Sequence, residues 1–167
     1  MNLIAAADER WGIGRQGKLL AHLPGDMKYF RETTAGKVVV MGRKTLESFP
    51  GQKPLKNRVN IVLTGNLQYR PEGVEVCHSV EETLQVLKQY RPEDVFIIGG
   101  GMIYEAFLPW CSRAYVTRIH SVFEADTALP NLDRMEDWVC AQEGPVMKDG
   151  DVSYQFCIYE RKGDKQV

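Results

Sequence analysis

The chain has no surplus of charge of either sign: 21 Lys and Arg stand against 22 Asp and Glu in 167 residues, a formal net charge of −1. That balance gives no bulk electrostatic footing for binding nucleic acid or a membrane surface. Cysteine is scarce, with only Cys77, Cys111, Cys140 and Cys157. None pairs as C-x-x-C, and no His lies at metal-ligand spacing from them, so spacing predicts no metal site. Three of the four lie in or beside apolar segments, which suits free thiols in a reducing compartment. No apolar run approaches membrane-spanning length. Met1 to Ala7 is apolar, but it lacks a basic start and meets Asp8-Glu9-Arg10 too soon to be a secretory signal. The expected location is the cytoplasm. Internal repeats, low-complexity tracts and linker-like segments are also missing, so residues 1–167 are expected to form one domain.

What the chain does have is the run Val95-Phe96-Ile97-Ile98-Gly99-Gly100-Gly101-Met102-Ile103-Tyr104. A continuous apolar stretch reads as a strand buried on both faces, as in a parallel sheet. Glycine after it lets backbone approach a ligand closely, and the N-terminus of a following helix favours an anion such as a phosphate. Met102, Ile103, Ala106 and Phe107 recur as one face of that helix, and Pro109 closes it. The run is neither G-x-G-x-x-G nor a P-loop. Taken alone, it also reads as a tight turn whose glycines only relieve crowding.

Strands of the same kind are predicted at Leu3–Ala7, Val38–Met41, Val59–Leu63, Val74–Cys77 and Ala114–Ile119. Helices are predicted from Pro24, where a first turn tolerates proline, from Arg43, and from the Ser79/Glu82 capping box. Met27, Phe30 and Thr34 form the inward face of the first of these. Asp8 to Leu23 has no clear period and reads as a long loop, functional or mobile. After Pro130 the pattern changes. Trp138–Ala141 and Tyr154–Tyr159 read as an antiparallel pair around the turn-rich Lys148-Asp149-Gly150-Asp151. The fold class is therefore α/β: a mostly parallel, doubly wound sheet of about eight strands with an antiparallel C-terminal edge and flanking helices. Ligands bind past the carboxyl ends of the strands in such sheets. The Asp8–Leu23 loop, Gly42-Arg43-Lys44-Thr45, Thr64-Gly65-Asn66 and Gly99-Gly100-Gly101 all leave strands at that edge.

Few residues there suit chemistry. Asp26 sits in a first helical turn among apolar neighbours. It reads equally as a carboxylate favoured by the helix dipole and as an anchor for a ligand's N–H groups. Arg43 and Lys44 follow a buried strand and suit a phosphate-rich ligand or plain solvation. Arg58, before another strand, suits a substrate carboxylate or solvent. Tyr104 lies one turn beyond the glycines and reads as core. His22, His78 and His120 join no nucleophile motif and read as surface histidines.

Taken together, these segments resemble bacterial dihydrofolate reductases along nearly the whole chain. The resemblance rests on Ile4-Ala5-Ala6, Gly12-Ile13-Gly14, Leu23-Pro24-Gly25-Asp26-Met27-Lys28-Tyr29-Phe30, Val40 to Ser48, Arg58 to Leu63, Ile98 to Tyr104 and Asp126-Thr127. It implies NADPH-dependent reduction of 7,8-dihydrofolate to tetrahydrofolate in a monomeric enzyme that also binds antifolate inhibitors. By the resemblance, Asp26 holds the pterin and favours protonation at N5, Thr117 backs it through a hydrogen bond, and Tyr104 joins them beside the reacting rings. Ile4, Ala5, Leu19, Met27, Phe30, Phe49, Leu55 and Ile98 line the substrate, and Arg58 clamps its glutamate. For NADPH the matching positions are Ala6, Ile13, Gly14, Leu19, Gly42, Arg43, Lys44, Thr45, Leu63, Thr64 and Gly65. They continue with Ile98, Gly99, Gly100, Gly101, Met102, Ile103 and Tyr104. Arg43 and Thr64 are assigned to the 2′-phosphate.

One departure stands out. The family usually has Pro-Trp in the first loop, and Leu20-Ala21 stands there instead. Its loss is expected to change loop dynamics and weaken diaminopyrimidine antifolates. Two other readings compete: a related reductase acting on a ribosylaminopyrimidine, and a module that binds a nucleotide or folate without turnover.

Overall fold

A computed structural model describes residues 1–163. Its strands are β1 (Asn2–Ala7), β2 (Gly12–Arg15), β3 (Lys18–Leu19), β4 (Val38–Gly42), β5 (Val59–Leu63), β6 (Glu75–Cys77), β7 (Val95–Gly99), β8 (Arg113–Ile119), β9 (Thr127–Ala128), β10 (Trp138–Glu143), β11 (Met147–Asp149) and β12 (Val152–Arg161). Its α-helices are α1 (Pro24–Thr34), α2 (Arg43–Glu47), α3 (Val80–Leu87) and α4 (Gly101–Phe107). The main sheet runs β10-β12-β8-β1-β7-β4-β5-β6, with β11 added alongside β12. From β8 to β6 every pairing is parallel, and the strands around β12 pair antiparallel. The architecture is the mostly parallel sheet with an antiparallel C-terminal edge that the apolar runs predict.

Alternation along the strands divides the interior between the two faces of this sheet. Ile4, Val39, Met41, Val62, Phe96 and Ile98 point to one face, where Tyr29 and Phe30 of α1 pack with Phe49 and Leu55. Leu3, Val38, Val40, Ile61, Val95 and Ile97 point to the other, under Val80 and Leu84 of α3 and Phe107 of α4. Burial on both sides is why these strands read as largely apolar runs, broken in β5 by the buried Asn60.

Local signals explain the helix ends. Pro24 opens α1, and Gly36 beyond its end takes φ +75°, a conformation suited to glycine. Ser79 caps α3 by accepting from the Glu82 N–H at 3.0 Å. The return arm of that capping box reaches one residue further than expected: Glu82 Oε1 accepts from the His78 N–H at 2.7 Å.

Two expectations are corrected. The Asp8–Leu23 segment is not wholly irregular, because β2 pairs with both β3 and β9 in a separate three-stranded antiparallel sheet. Asp126 ties this sheet down by accepting from the Gln16 N–H at 2.8 Å. Met102 does not share the inward face of α4; it is 86% exposed while Tyr104 and Phe107 are buried. At about 100° per residue Met102 lies well around the helix from Phe107, so Ile103, Tyr104 and Phe107 form the inward stripe. Among the described residues no helix is long and apolar enough to cross a membrane. All four cysteines are free, and Cys77, Cys111 and Cys157 are buried.

Candidate active site

The parallel strands β1, β4, β5, β7 and β8 release their chains at one edge of the sheet. Helix α1 lies over the face that carries Ile4 and Phe96 and presents Asp26 in its first turn. Thr117 of β8 is buried on that same face, and its hydroxyl donates to Asp26 Oδ1 at 2.6 Å. Burial pushes the Asp26 carboxyl above its usual range, the Thr117 bond opposes this, and the negative charge of Asp149 reinforces it. A partly desolvated carboxylate with one hydroxyl donor retains acceptor capacity for a ligand.

Asp149 of β11 has no counterpart in the expectations from sequence. Its Oδ2 accepts from the Gly25 N–H at 3.1 Å and from the Tyr154 hydroxyl at 3.2 Å. It therefore fixes the start of α1 one residue before Asp26. A side chain at position 25 has no space, since a Cβ there would lie 2.2 Å from the Tyr154 hydroxyl oxygen. The sequence offered only an acidic residue in a turn.

Tyr104 of α4 reaches back to β1, where its buried hydroxyl donates to the Ile4 carbonyl at 2.7 Å. Burial, with Asp26 adding to it, raises its pKa well beyond the ordinary tyrosine value, so it stays neutral. Phe30, Phe49 and Leu55 are half-buried against Ile4 and Ile98 and form an apolar wall on the same face. Ala5 is half-buried on β1, whereas Met27 and Leu19 are 39% and 68% exposed. Leu19 stands on β3, where it pairs in register with Gly14 of β2.

Arg58 is held at the far end of α1. Its Nε donates to Thr34 Oγ1 at 2.8 Å, one terminal nitrogen donates to the Arg31 carbonyl at 3.2 Å, and the other donates to the Lys56 carbonyl at 2.6 Å. Burial and the neighbouring Arg31 charge lower its pKa, without neutralising a guanidinium. Asp26 stands in the first turn of α1 and Thr34 in the last; at about 1.5 Å per residue their separation along the axis is roughly 12 Å. A single helix thus spaces an acid and a cation along one apolar wall.

At the strand ends, α2 and α4 begin with Gly42 and Gly100 as N-caps, and neither has a side-chain cap. First-turn N–H groups without a capping side chain suit an anion. Gly65 has open space around its Cβ position, and the nearest atom to that of Gly100 is Thr45 Oγ1 at 3.9 Å. Gly101 is crowded: a Cβ there would lie 2.4 Å from Thr127 Cγ2 of β9. The Gly99–Gly100 peptide is cis. Ala6 and Gly14 are half-buried and Ile13 is buried beside this edge, while Lys44 is exposed. Arg43 pairs with Glu47 at 3.4 Å on a half-exposed surface. Thr64 Oγ1 accepts from the Asn66 N–H at 3.2 Å. His78, read from sequence as a surface histidine, donates from Nδ1 to the Thr64 carbonyl at 2.8 Å, so it belongs to this corner. Uncapped helix starts, the open Gly65 and Gly100, and the cations Arg43 and Lys44 suit a phosphate.

Comparison with known proteins agrees with this geometry. A family model described as dihydrofolate reductase matches residues 1–161. A dihydrofolate reductase of Bacillus subtilis is 35% identical over 169 residues, covering 100% of this chain and 98% of that protein. One from Staphylococcus haemolyticus is 35% identical, covering 96% of this chain and 95% of its own. Among solved structures, a dihydrofolate reductase from Enterococcus faecalis complexed with NADP(H) and RAB-propyl superposes with a TM-score of 0.85 at 40% identity, covering 96% of this chain and 95% of that one.

Proposed function

The chain belongs to the dihydrofolate reductase family, and from that premise we propose how its residues carry the reaction. It is an NADPH-dependent oxidoreductase that reduces dihydrofolate. In our reading Asp26 accepts two N–H bonds from the pterin, a bidentate charge-assisted contact. The burial that raises its pKa also lowers the local dielectric, so its negative charge acts strongly on the bound ring. That charge favours a proton at pterin N5. NADPH, when bound, supplies the hydride that passes to pterin C6. Thr117 keeps the Asp26 carboxylate oriented through its 2.6 Å bond. Neutral Tyr104, fixed on the Ile4 carbonyl, lines the contact between the two rings.

Ile4, Phe30, Phe49, Leu55 and Ile98 exclude water along the pterin and benzoyl rings. Arg58 takes the glutamate carboxylate from its station at the C-terminal end of α1. Arg43 and Thr64 take the 2′-phosphate, with Gly100 and Gly101 against the pyrophosphate. The observation that carries this reading is the pair of charged stations on α1, an acid held by Thr117 at one end and an arginine held by Thr34 at the other. We read the enzyme as a cytoplasmic monomer that diaminopyrimidine antifolates inhibit.

The test follows NADPH absorbance with and without dihydrofolate, in the wild type and in Asp26→Asn. Consumption of NADPH that depends on dihydrofolate, falling by roughly a hundred-fold or more near neutral pH in the variant, is the expected result for a proton-transfer role. NADPH affinity is expected to be nearly unchanged. Full turnover in Asp26→Asn removes Asp26 from the mechanism.

A further inference from the structure

The sheet face turned away from Asp26 carries a second cluster of reactive side chains. Thr117 points to the active face and pairs in register with Phe156, so the next residues, Val116 and its partner Cys157, point to the opposite face. On β10, Cys140 pairs with Tyr159, two residues along β12 and hence on that same opposite face. Regular alternation would then turn Glu143 the other way. A bulge between Cys140 and Gln142 shifts the register by one, so that Glu143 pairs with Cys157 and comes to the same face as both thiols. One ligand atom from each of Cys140, Glu143 and Cys157 lies within 4.8 Å of the others. They line a cavity of about 270 Å³ together with His120, Asp133 and Arg118. Arg118 is already committed: it donates to Asp133 at 3.1 Å and to the Asp8 carbonyl at 3.3 Å, and it stacks 4.0 Å over Trp11.

We propose that Cys140, Cys157 and Glu143 form a binding site for a thiophilic divalent cation of the zinc class, on the face of the sheet opposite the active site. Two sulfurs and one carboxylate oxygen are a borderline-soft donor set that selects zinc or cadmium over magnesium and calcium. Tetrahedral zinc has sulfur at about 2.3 Å and oxygen at about 2.0–2.2 Å. Binding draws together three ligand atoms that already lie within 4.8 Å of one another. Binding releases the two thiol protons to solvent and leaves two thiolates and one carboxylate on the cation, with no change of oxidation state. Water from the cavity completes the fourth position. The cation then staples the edge strand β10 to β12, the strand that stacks Phe156 at 4.0 Å on Tyr29 of α1.

The test uses the reduced, metal-free enzyme, titrated with Zn²⁺ by calorimetry and with Co²⁺ by absorption. The expected result is one equivalent bound, a thiolate-to-Co²⁺ charge-transfer band, and a higher melting temperature with Zn²⁺. Cys140→Ser, at an exposed position, is expected to lose the band and to weaken Zn²⁺ at least hundred-fold while metal-free turnover stays unchanged. Glu143→Gln keeps both thiols and is expected to weaken Zn²⁺ by about ten-fold or more, because it removes the one charged oxygen ligand. Absence of the band in the wild type overturns the proposal. So does Zn²⁺ binding that survives Cys140→Ser, or a Cys140–Cys157 disulfide that forms in air as fast with Zn²⁺ as without it.

Discussion

Replacing Thr117 by Val isolates the bond on which the Asp26 site depends. The two side chains have nearly the same shape, and Thr117 is buried, so the change removes one hydroxyl and little packing. A hydrogen bond to a charged group contributes about 1.5–3 kcal/mol and one between neutral groups about 0.5–1.5 kcal/mol. Where Asp26 is ionised, the variant leaves a desolvated carboxylate without its donor and loses the larger amount. Where Asp26 is protonated, it loses the smaller. The sign follows from linkage. Burial raises the folded pKa of Asp26 above its unfolded value, so the group's stabilising contribution is complete below the unfolded pKa and is lost as pH rises through the folded one. Thr117 opposes that shift; Val at this position therefore moves the midpoint to higher pH and enlarges the total loss. Urea unfolding of both proteins on the acid and alkaline sides of that midpoint should show a destabilisation larger by roughly 1 kcal/mol on the alkaline side, with unchanged m-values. In an Asp26→Asn background the pH dependence should vanish, and the double-mutant cycle gives the coupling directly. An equal cost at both pH values, with no coupling to Asp26, refutes the reasoning.

Asp149→Asn keeps an oxygen acceptor for the Gly25 N–H but removes the charge that raises Asp26. The pH profile of turnover is expected to move toward lower pH, and an unmoved profile would show that the charge is fully screened. Arg58→Leu is expected to raise the KM for dihydrofolate by roughly 10- to 100-fold, the value of one charged contact, with the KM for NADPH unchanged; an equal rise in both would place Arg58 in the scaffold alone. Ala21→Trp restores the family's residue at a half-buried position packed against the buried cluster of Leu23, Ile119 and Tyr154. Tighter trimethoprim binding and an altered hydride-transfer rate are expected, and no change in either would show that position 21 is neutral.

Much of this molecule is legible in its sequence, for identifiable reasons. A strand buried on both faces favours apolar residues, so β1, β4, β5 and β7 announce themselves as runs, with the hydrogen-bonded Asn2 and Asn60 as buried polar members of β1 and β5. Proline and Ser/Glu signals mark the starts of α1 and α3 because helix ends leave backbone groups to satisfy locally. The strands β2 and β3 leave little trace because they are only four and two residues long, and β9, the other partner of β2, lies over 100 residues along the chain, as the Gln16–Asp126 bond shows with a separation of 110. Asp26 alone was ambiguous between dipole and ligand. Its partner Thr117 is 91 residues away, and nothing in the spacing joins them; family resemblance supplied that pairing. Asp149 and His78 escaped because one looks like a turn residue and the other like a solvated histidine. The gathering of Cys140, Glu143 and Cys157 depends on a bulge, and a one-residue register shift leaves no mark in composition or period.

The central claim is that the Asp26 carboxylate faces a pterin laid against a nicotinamide at the strand ends. A crystal structure of the enzyme with oxidised cofactor and folate tests it most directly. The account predicts two pterin N–H donors on Asp26 at about 2.7–3.2 Å, with nicotinamide C4 about 3–3.5 Å from pterin C6. A pterin seated elsewhere, with the Asp26 side chain turned to bulk water, would contradict it.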